Sequence, residues 1–254
     1  DAQEMRGTAV AVTFDPHPAR VLRPDNAPRL LTSTTHKLRL IRGLGVEYVL
    51  VIPFNAGFAA TTPQEFVHQL AAASPPLREI CVGDEWSFGR QRTGNLQLLR
   101  QLGDELGFKE VGLPAVEIDR QVVSSTLIRS AIERGELDEA AKFLGREYAV
   151  LGTVVHGDGI GEQLGFPTAN LRTHHEQWPP NGVYAVEVRQ DDTALRGVAN
   201  IGVRPTRAEA SGQRLFEVHV LDFEGDLYGA DLEIYFRKYL RAEQNFLSLD
   251  ELRG

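Results

Sequence analysis

Residues 154–170 read VVHGDGIGEQLGFPTAN. Gly157, Gly159, Gly161 and Gly165 let the backbone pass close to something bulky or take φ angles that other residues avoid. Thr168 then offers a hydroxyl, and Asn170 an amide oxygen two positions on, on the same side of an extended chain. Two hard oxygen donors beside freely oriented backbone N–H groups make a seat for a magnesium-bound polyphosphate. GDGIG (157–161) is only superficially a dinucleotide fingerprint, because that motif must open a helix and Gly165 and Pro167 forbid one here. By pattern alone the plainer reading is a hairpin loop. A second candidate lies in LFEVHVLDF (215–223), where strand alternation places Glu217, His219 and Leu221 on one face. A carboxylate among strand hydrophobes can take a proton from a hydroxyl. An outward polar position is again the plainer alternative.

Other reactive side chains carry less. His174 and His175 are adjacent in a loop without a third histidine or a cysteine, which suits solvated residues better than a metal site. RKYLRAEQNF (237–246) mixes basic and aromatic residues, but it is short and lies in an acidic half. No Ser-His-Asp arrangement is legible among the seven histidines. Cys81, the single cysteine, rules out an internal disulfide framework, fits a reducing cytoplasm, and is expected to be a small buried hydrophobe in a strand.

The elements that must position these residues change character along the 254-residue chain. In the first half, apolar strand signals at 8–14, 47–54, 78–84 and 110–118 alternate with helical ones at 34–45, 62–73 and 95–108. Thr62, Pro63 and Glu65 form a capping-box signature at the start of the second helix. Strands alternating with helices imply an α/β domain with a doubly wound parallel sheet. Residues 124–146 add two short helices, broken at Gly135 and ended at Gly145. From there strand signals follow at 148–157, 182–190, 196–204, 215–223 and 232–240, with no useful helix before SLDELRG at the end. So many strands in about 100 residues predict a small antiparallel β-barrel. The expected boundary separates residues 1–146 from 147–254.

Charge follows the same division. Residues 1–146 hold 17 basic and 18 acidic residues, whereas residues 147–254 hold 10 and 17. An acidic barrel argues against a nucleic-acid partner. If it binds phosphate, it must do so through backbone N–H groups and a divalent cation. No run approaches the roughly 18 apolar residues of a membrane span. The opening DAQEMRGTAV has neither an initiator Met nor a signal core, so no export is expected.

Taken in order, HGDGIGEQLGFPTANL, NGVYAV, GVANIGVRPT, EVHVLDF and DLYG resemble the riboflavin kinase module of prokaryotic bifunctional FAD synthetases. VTFDPHP, VGDEWSFG and VSSTLIR resemble the FMN adenylyltransferase module of the same family, so the likeness runs from about Thr8 to Leu252. The resemblance implies that Thr168 and Asn170 contact Mg²⁺ and ATP phosphate, with Gly157, Gly159 and Gly161 in the loop around the nucleotide. It implies that Glu217 deprotonates the ribityl 5′-hydroxyl of riboflavin and that Arg204 lies near the flavin. Arg207 stands where the family usually has an aromatic or aliphatic residue. In the first half it implies flavin contacts at Phe14, Asp15 and Pro16. Nucleotide contacts fall at Ser124, Ser125, Thr126 and Arg129, with Asp84, Trp86 and Phe88 as further candidates. Hydroxyls and an arginine at a helix start suit phosphate, although an ordinary Ser cap is the simpler reading.

The implied activity is phosphorylation of riboflavin to FMN with Mg-ATP, then adenylylation of FMN to FAD, with flavins and ATP as small-molecule partners and neither nucleic acid nor membrane. The resemblance also predicts an early G-x-F-D-x-x-H-x-G-H segment that this sequence lacks; FDPH (14–17) has no second histidine. Segments are therefore expected to be missing at both ends. Two alternatives are carried forward: an enzyme active only as a kinase, and an inactive flavin- or nucleotide-binding regulator.

Overall fold

The computed structural model describes residues 2–73, 76–156, 168–173, 177–191, 193–203 and 214–244. They form two compact units, Asp1–Pro28 with Ile41–Val123, and Arg29–Leu40 with Ser124–Gly254.

In the first unit, strand β1 (Val10–Asp15) pairs in parallel with β2 (Tyr48–Pro53), and β3 (Glu79–Gly83) pairs in parallel with β4 (Lys109–Leu113). The alternation of strand and helix expected of an α/β domain is present. Among the described residues, however, the four strands form two separate two-stranded sheets. The expected strand 110–118 is divided: Pro114 has no N–H to continue the ladder, and a hairpin of β5 (Glu117–Ile118) and β6 (Gln121–Val122) follows. Its turn residues Asp119 and Arg120 both take positive φ, the twist that a two-residue hairpin needs.

Helices α1 (Pro18–Leu22), α2 (Thr34–Gly43), α3 (Ala56–Ala59), α4 (Pro63–Ala73) and α5 (Leu96–Leu106) complete the first half. Thr62 and Glu65 close the capping box of α4: Thr62 N donates to Glu65 Oε2 at 2.8 Å, and Glu65 N donates to Thr62 Oγ1 at 3.2 Å. These bonds hold the Glu65 carboxyl below the usual range. α4 and α5 bury Phe66, Val67, Leu99 and Leu102 against Phe88 and Phe108. Each such side chain contributes roughly 1.5–3 kcal/mol. Cys81 lies in β3 as expected but is exposed rather than buried, its thiol turned to Glu79 Oε1 at 3.2 Å.

The second unit is built on a closed six-stranded antiparallel barrel. Its strands are β7 (Ala149–Val155), β8 (Ala169–Thr173), β9 (Gly182–Gln190), β10 (Thr193–Val203), β11 (Arg214–Val220) and β12 (Asp231–Arg241). Their order around the barrel is β10-β11-β8-β7-β12-β9. Strict alternation fills the interior: Ala199, Ile201, Phe216, Val218, Leu232 and Ile234 are all at most 1% exposed. Helices α6 (Ser125–Arg134) and α7 (Leu137–Leu144) belong to this unit. They end at Gly135 and Gly145, whose φ values of 78° and 66° favour glycine.

Residues 29–40 belong to it as well, through bonds that span most of the chain. His36, fully buried, meets Glu233 of β12 at 2.7 Å, Arg39 pairs with Asp231 at 3.1 Å, and Gln177 N donates to Leu30 O at 3.1 Å. The compact units therefore do not divide along the boundary at 146/147 that the sequence pattern suggests.

Candidate active sites

A single row of side chains crosses the outer face of the barrel. Val155 of β7 stands opposite Asn170 of β8, Asn170 opposite Glu217 of β11, Glu217 opposite Asn200 of β10, and Asn200 opposite Val183 of β9. All five are partly buried, whereas their chain neighbours Val154, Leu171, Phe216, Val218, Ala199 and Ile201 point into the core. Side chains directly opposed on antiparallel strands lie about 4.5–5.5 Å apart at Cβ. Asn170 and Glu217 are thus immediate neighbours. Thr168 comes level with His219 when the Val218↔Ala169 register is carried one residue on. The structure therefore brings Thr168, Asn170 and Glu217 to one patch of the barrel wall.

The edges of this patch are fixed by local bonds. His156, the last described residue before the glycine loop, stacks on Tyr228 with ring centroids 3.9 Å apart. Tyr228 N is held by Asp226 Oδ1 at 2.8 Å, and Gly229 N donates to Val154 O at 3.0 Å. DLYG is thereby fastened beside the strand that leads into the glycines. On the other side, Arg214 donates to Asn181 Oδ1 at 2.8 Å and to Pro179 O at 2.5 Å, and lies over the Trp178 ring at 5.1 Å. Burial pushes the Tyr184 hydroxyl up to about 12, so it serves as a donor, to Pro180 O at 2.7 Å. Gly157, Gly159, Gly161 and Arg204 lie outside the described residues, as do Arg207, His174 and His175.

Each candidate of the first half has a definite place. Phe14 packs edge-on against Phe54 at 5.6 Å and tilted against Phe58 at 5.8 Å, at the margin of the first unit's core. Asp15 and Pro16, joined by a cis peptide, are exposed at the end of β1. Phe88 is itself core, 6% exposed, and Trp86 stacks on it at 4.3 Å. Asp84 sits against Gly112, where a Cβ would overlap its carboxylate. Ser124 caps α6 by accepting from Leu127 N at 3.2 Å. Arg129 donates to Arg29 O at 2.5 Å, and its burial disfavours the charged guanidinium. Ser124 and Arg129 therefore have structural partners in addition to the role that the resemblance implies for them.

Two features escaped the sequence reading. Asn200 sits in GVANIGVRPT without any motif of its own, and only the β10–β11 register reveals it beside Glu217. The stacking of His156 on Tyr228 joins residues 72 positions apart, although both occur in quoted motifs.

Among the described residues no group of three His, Cys, Asp or Glu could hold a metal ion. The oxygen set of Thr168 and Asn170 suits a hard cation that keeps several waters and phosphate ligands, as Mg²⁺ does.

Comparison with known proteins agrees with this division of chemistry. A family profile described as FAD synthetase matches residues 1–127, and one described as riboflavin kinase matches residues 144–254. The bifunctional riboflavin kinase/FMN adenylyltransferase of Escherichia coli K12 is 41% identical over 246 residues, covering 96% of this chain and 78% of that protein. Its namesake from Pseudomonas fluorescens is 38% identical over 252 residues, covering 99% and 80%. A solved structure from Streptococcus pneumoniae, named as a macrolide-efflux protein, superposes with a TM-score of 0.79 at 29% identity, covering 99% of this chain and 82% of that one. No helix among the described residues is long and apolar enough to cross a membrane, which says nothing of crossing by strands. With both profiles matched and its relatives aligned over nearly all its length, the chain belongs to the bifunctional riboflavin kinase/FMN adenylyltransferase family.

Proposed function

We propose that this protein phosphorylates riboflavin to FMN with Mg-ATP and adenylylates FMN to FAD, as a cytoplasmic enzyme of flavin cofactor synthesis. Residues 147–254 carry the kinase and residues 1–146 the adenylyltransferase. The observation that carries the kinase reading is the cross-strand row in which Asn170 and Glu217 are adjacent, with Thr168 two residues from Asn170.

In the kinase step Glu217 accepts the proton of the ribityl 5′-hydroxyl while that oxygen attacks the γ-phosphorus of ATP in line. The new P–O bond gives FMN, the bond to the β-phosphate oxygen breaks, and ADP leaves. Thr168 and Asn170 would hold Mg²⁺, which supplies charge neutralisation on the phosphates. Phosphoryl transfer of this kind depends mainly on positioning and electrostatics, so a base held by two flanking strands is well suited to it. By the resemblance, Gly157, Gly159 and Gly161 would contact the polyphosphate and Arg204 the flavin.

In the second step an FMN phosphate oxygen attacks the α-phosphorus of ATP and pyrophosphate leaves. Phe14, Asp15 and Pro16 contact the flavin, and Ser124, Ser125, Thr126 and Arg129 contact the nucleotide. The N-terminus of α6, with its hydroxyls, supports this assignment.

The test is chromatographic. Riboflavin, ATP and Mg²⁺ are incubated with the protein, and FMN and FAD are followed over time. FMN should appear first and FAD after it. Glu217→Gln should lower the rate of FMN formation about 10²–10⁴-fold, while FAD formation from supplied FMN persists. FMN without FAD would restrict the protein to the kinase. Riboflavin bound without turnover would leave a binding protein.

A further inference from the structure

We propose that Glu243 is a substrate-recognition residue of the kinase site: its carboxylate accepts hydrogen bonds from ribityl hydroxyls that are not phosphorylated, and so selects a flavin that bears a polyol. The proposal rests on the reading of residues 147–254 as the kinase.

Glu243 follows the last barrel strand by two residues, in the RKYLRAEQNF stretch to which no role has yet been given. Its side chain reaches back over β10. Gly202 faces outward, two residues beyond Asn200, yet it is buried, because the Glu243 carboxylate lies where a Cβ of residue 202 would stand. The φ of Gly202 is not positive, so the missing side chain provides space rather than an unusual backbone conformation.

That space adjoins the candidate base. Across the β10–β11 pair Glu217 is directly opposite Asn200, and Leu215 is opposite Gly202, which makes Gly202 the diagonal neighbour of Glu217. Diagonal positions lie about 7–8 Å apart, within reach of long side chains. Two carboxylates therefore share one face of the barrel wall, Glu217 standing on β11 and Glu243 lying over β10. A few carbons of a sugar alcohol bridge such a span. With the 5′-hydroxyl at Glu217, hydroxyls further along the ribityl chain come to Glu243.

The surroundings of Glu243 suit this use. The residue is half-buried, and among the described residues no hydrogen bond or ion pair engages its carboxylate. Arg214, next to Leu215, turns instead to Asn181 Oδ1 and Pro179 O. A carboxylate only accepts, so what the site lacks is donors, and substrate hydroxyls are donors. Hydrogen bonds to a charged acceptor are roughly twice as strong as neutral ones.

The test compares kcat/KM for riboflavin with that for an analogue whose N10 chain is a plain 5-hydroxypentyl group, which keeps the reacting hydroxyl and lacks the others. Thermal unfolding and the Mg²⁺ requirement are followed for each variant. The wild type should prefer riboflavin. Glu243→Ala should lower kcat/KM for riboflavin about ten- to hundredfold, the analogue should lose far less, and the preference should collapse. Glu243→Gln, still an acceptor but neutral, should lie between. Gly202→Ala places a methyl where the carboxylate lies and displaces only the end of a flexible side chain, so it should reproduce the loss of preference with the fold intact. An equal loss with both flavins, or a raised Mg²⁺ requirement with both, would assign Glu243 to structure or to the cation and overturn the proposal. A wild type that does not discriminate, or variants that keep its preference, overturn it as well. A wild type that phosphorylates neither flavin fails the kinase reading itself. If Glu243→Ala does not fold, Glu243→Gln and Gly202→Ala decide by the same ratio.

Discussion

Glu217 differs from the other outward carboxylates of the barrel in what surrounds it. Glu187 is bound by Arg189 and Arg237 at 2.6 Å, Glu233 by His36, and Asp231 by Thr153 and Arg39. Each of those groups neutralises a partner. Glu217 has amides on both flanks and, among the described residues, no cationic partner within 4.0 Å. The two flanking amides should separate in experiment. Asn170→Ala should raise the Mg²⁺ concentration that gives half-maximal FMN formation by about tenfold or more, whereas Asn200→Leu should leave it unchanged. A magnesium titration of initial rates checks this, and equal responses would mean that Asn170 is no ligand. Strand alternation allowed Thr168, Asn170 and Glu217 as outward polar positions, and only the family resemblance singled them out as site residues. Asn200 was not legible, because the register that sets it beside Glu217 is fixed by pairing between strands and leaves no local pattern.

At the scale of elements, helix ends were the clearest signals. The box at Thr62 and Glu65 and the serine cap at Ser124 both form as their residue types dictate. Thr62→Ala should therefore cost about 1 kcal/mol in chemical denaturation. What no local pattern encodes is that α2 belongs with β12. His36 and Glu233 are 197 residues apart in sequence and meet at 2.7 Å, with His36 wholly buried. Burial pushes the Glu233 carboxyl up, but the bond and charge of His36 outweigh this and hold it below its usual range. A carboxyl lowered by folding contributes stability that is complete above its unfolded pKa, about 4.3, and is lost as pH falls through the lower folded value. Glu233→Gln should accordingly be less stable than wild type at pH 7, and the gap should narrow as the pH is taken below about 4. His36→Ala removes the buried partner and should cost on the order of 3 kcal/mol, the low end for such pairs because Glu233 retains some exposure. Urea unfolding of the three proteins at pH 7 and pH 3.5 measures both effects. A pH-independent gap would show that the pair contributes packing alone.

For the whole molecule, the change of pattern near residue 146 was legible because helix and strand periods differ, and the two family profiles cover residues 1–127 and 144–254. Compactness follows another line, since residues 29–40 and 124–146 complete the unit that contains the barrel. The consequence is testable on an excised fragment. A chain of residues 147–254 has all six barrel strands, yet it lacks Leu30 O for the N–H of fully buried Gln177, His36 for Glu233, and Arg39 for Asp231. A buried donor left unsatisfied costs about 1–3 kcal/mol, the loss of a buried ionic partner a similar amount or more, and the exposed Arg39–Asp231 pair little. For a domain of this size each kcal/mol is worth about 4–8 °C. The fragment should therefore unfold more than about 10 °C below the intact protein's barrel, followed by the fluorescence of Trp178, which lies against Phe216 in the barrel wall. Fusing residues 29–40 and 124–146 back onto the fragment should restore most of the loss. If the fragment melts with the intact barrel, the 29–40 segment only lies on a domain that is already complete. If it melts early and is rescued, the barrel depends for its stability on a piece of chain that the sequence assigns to the other half.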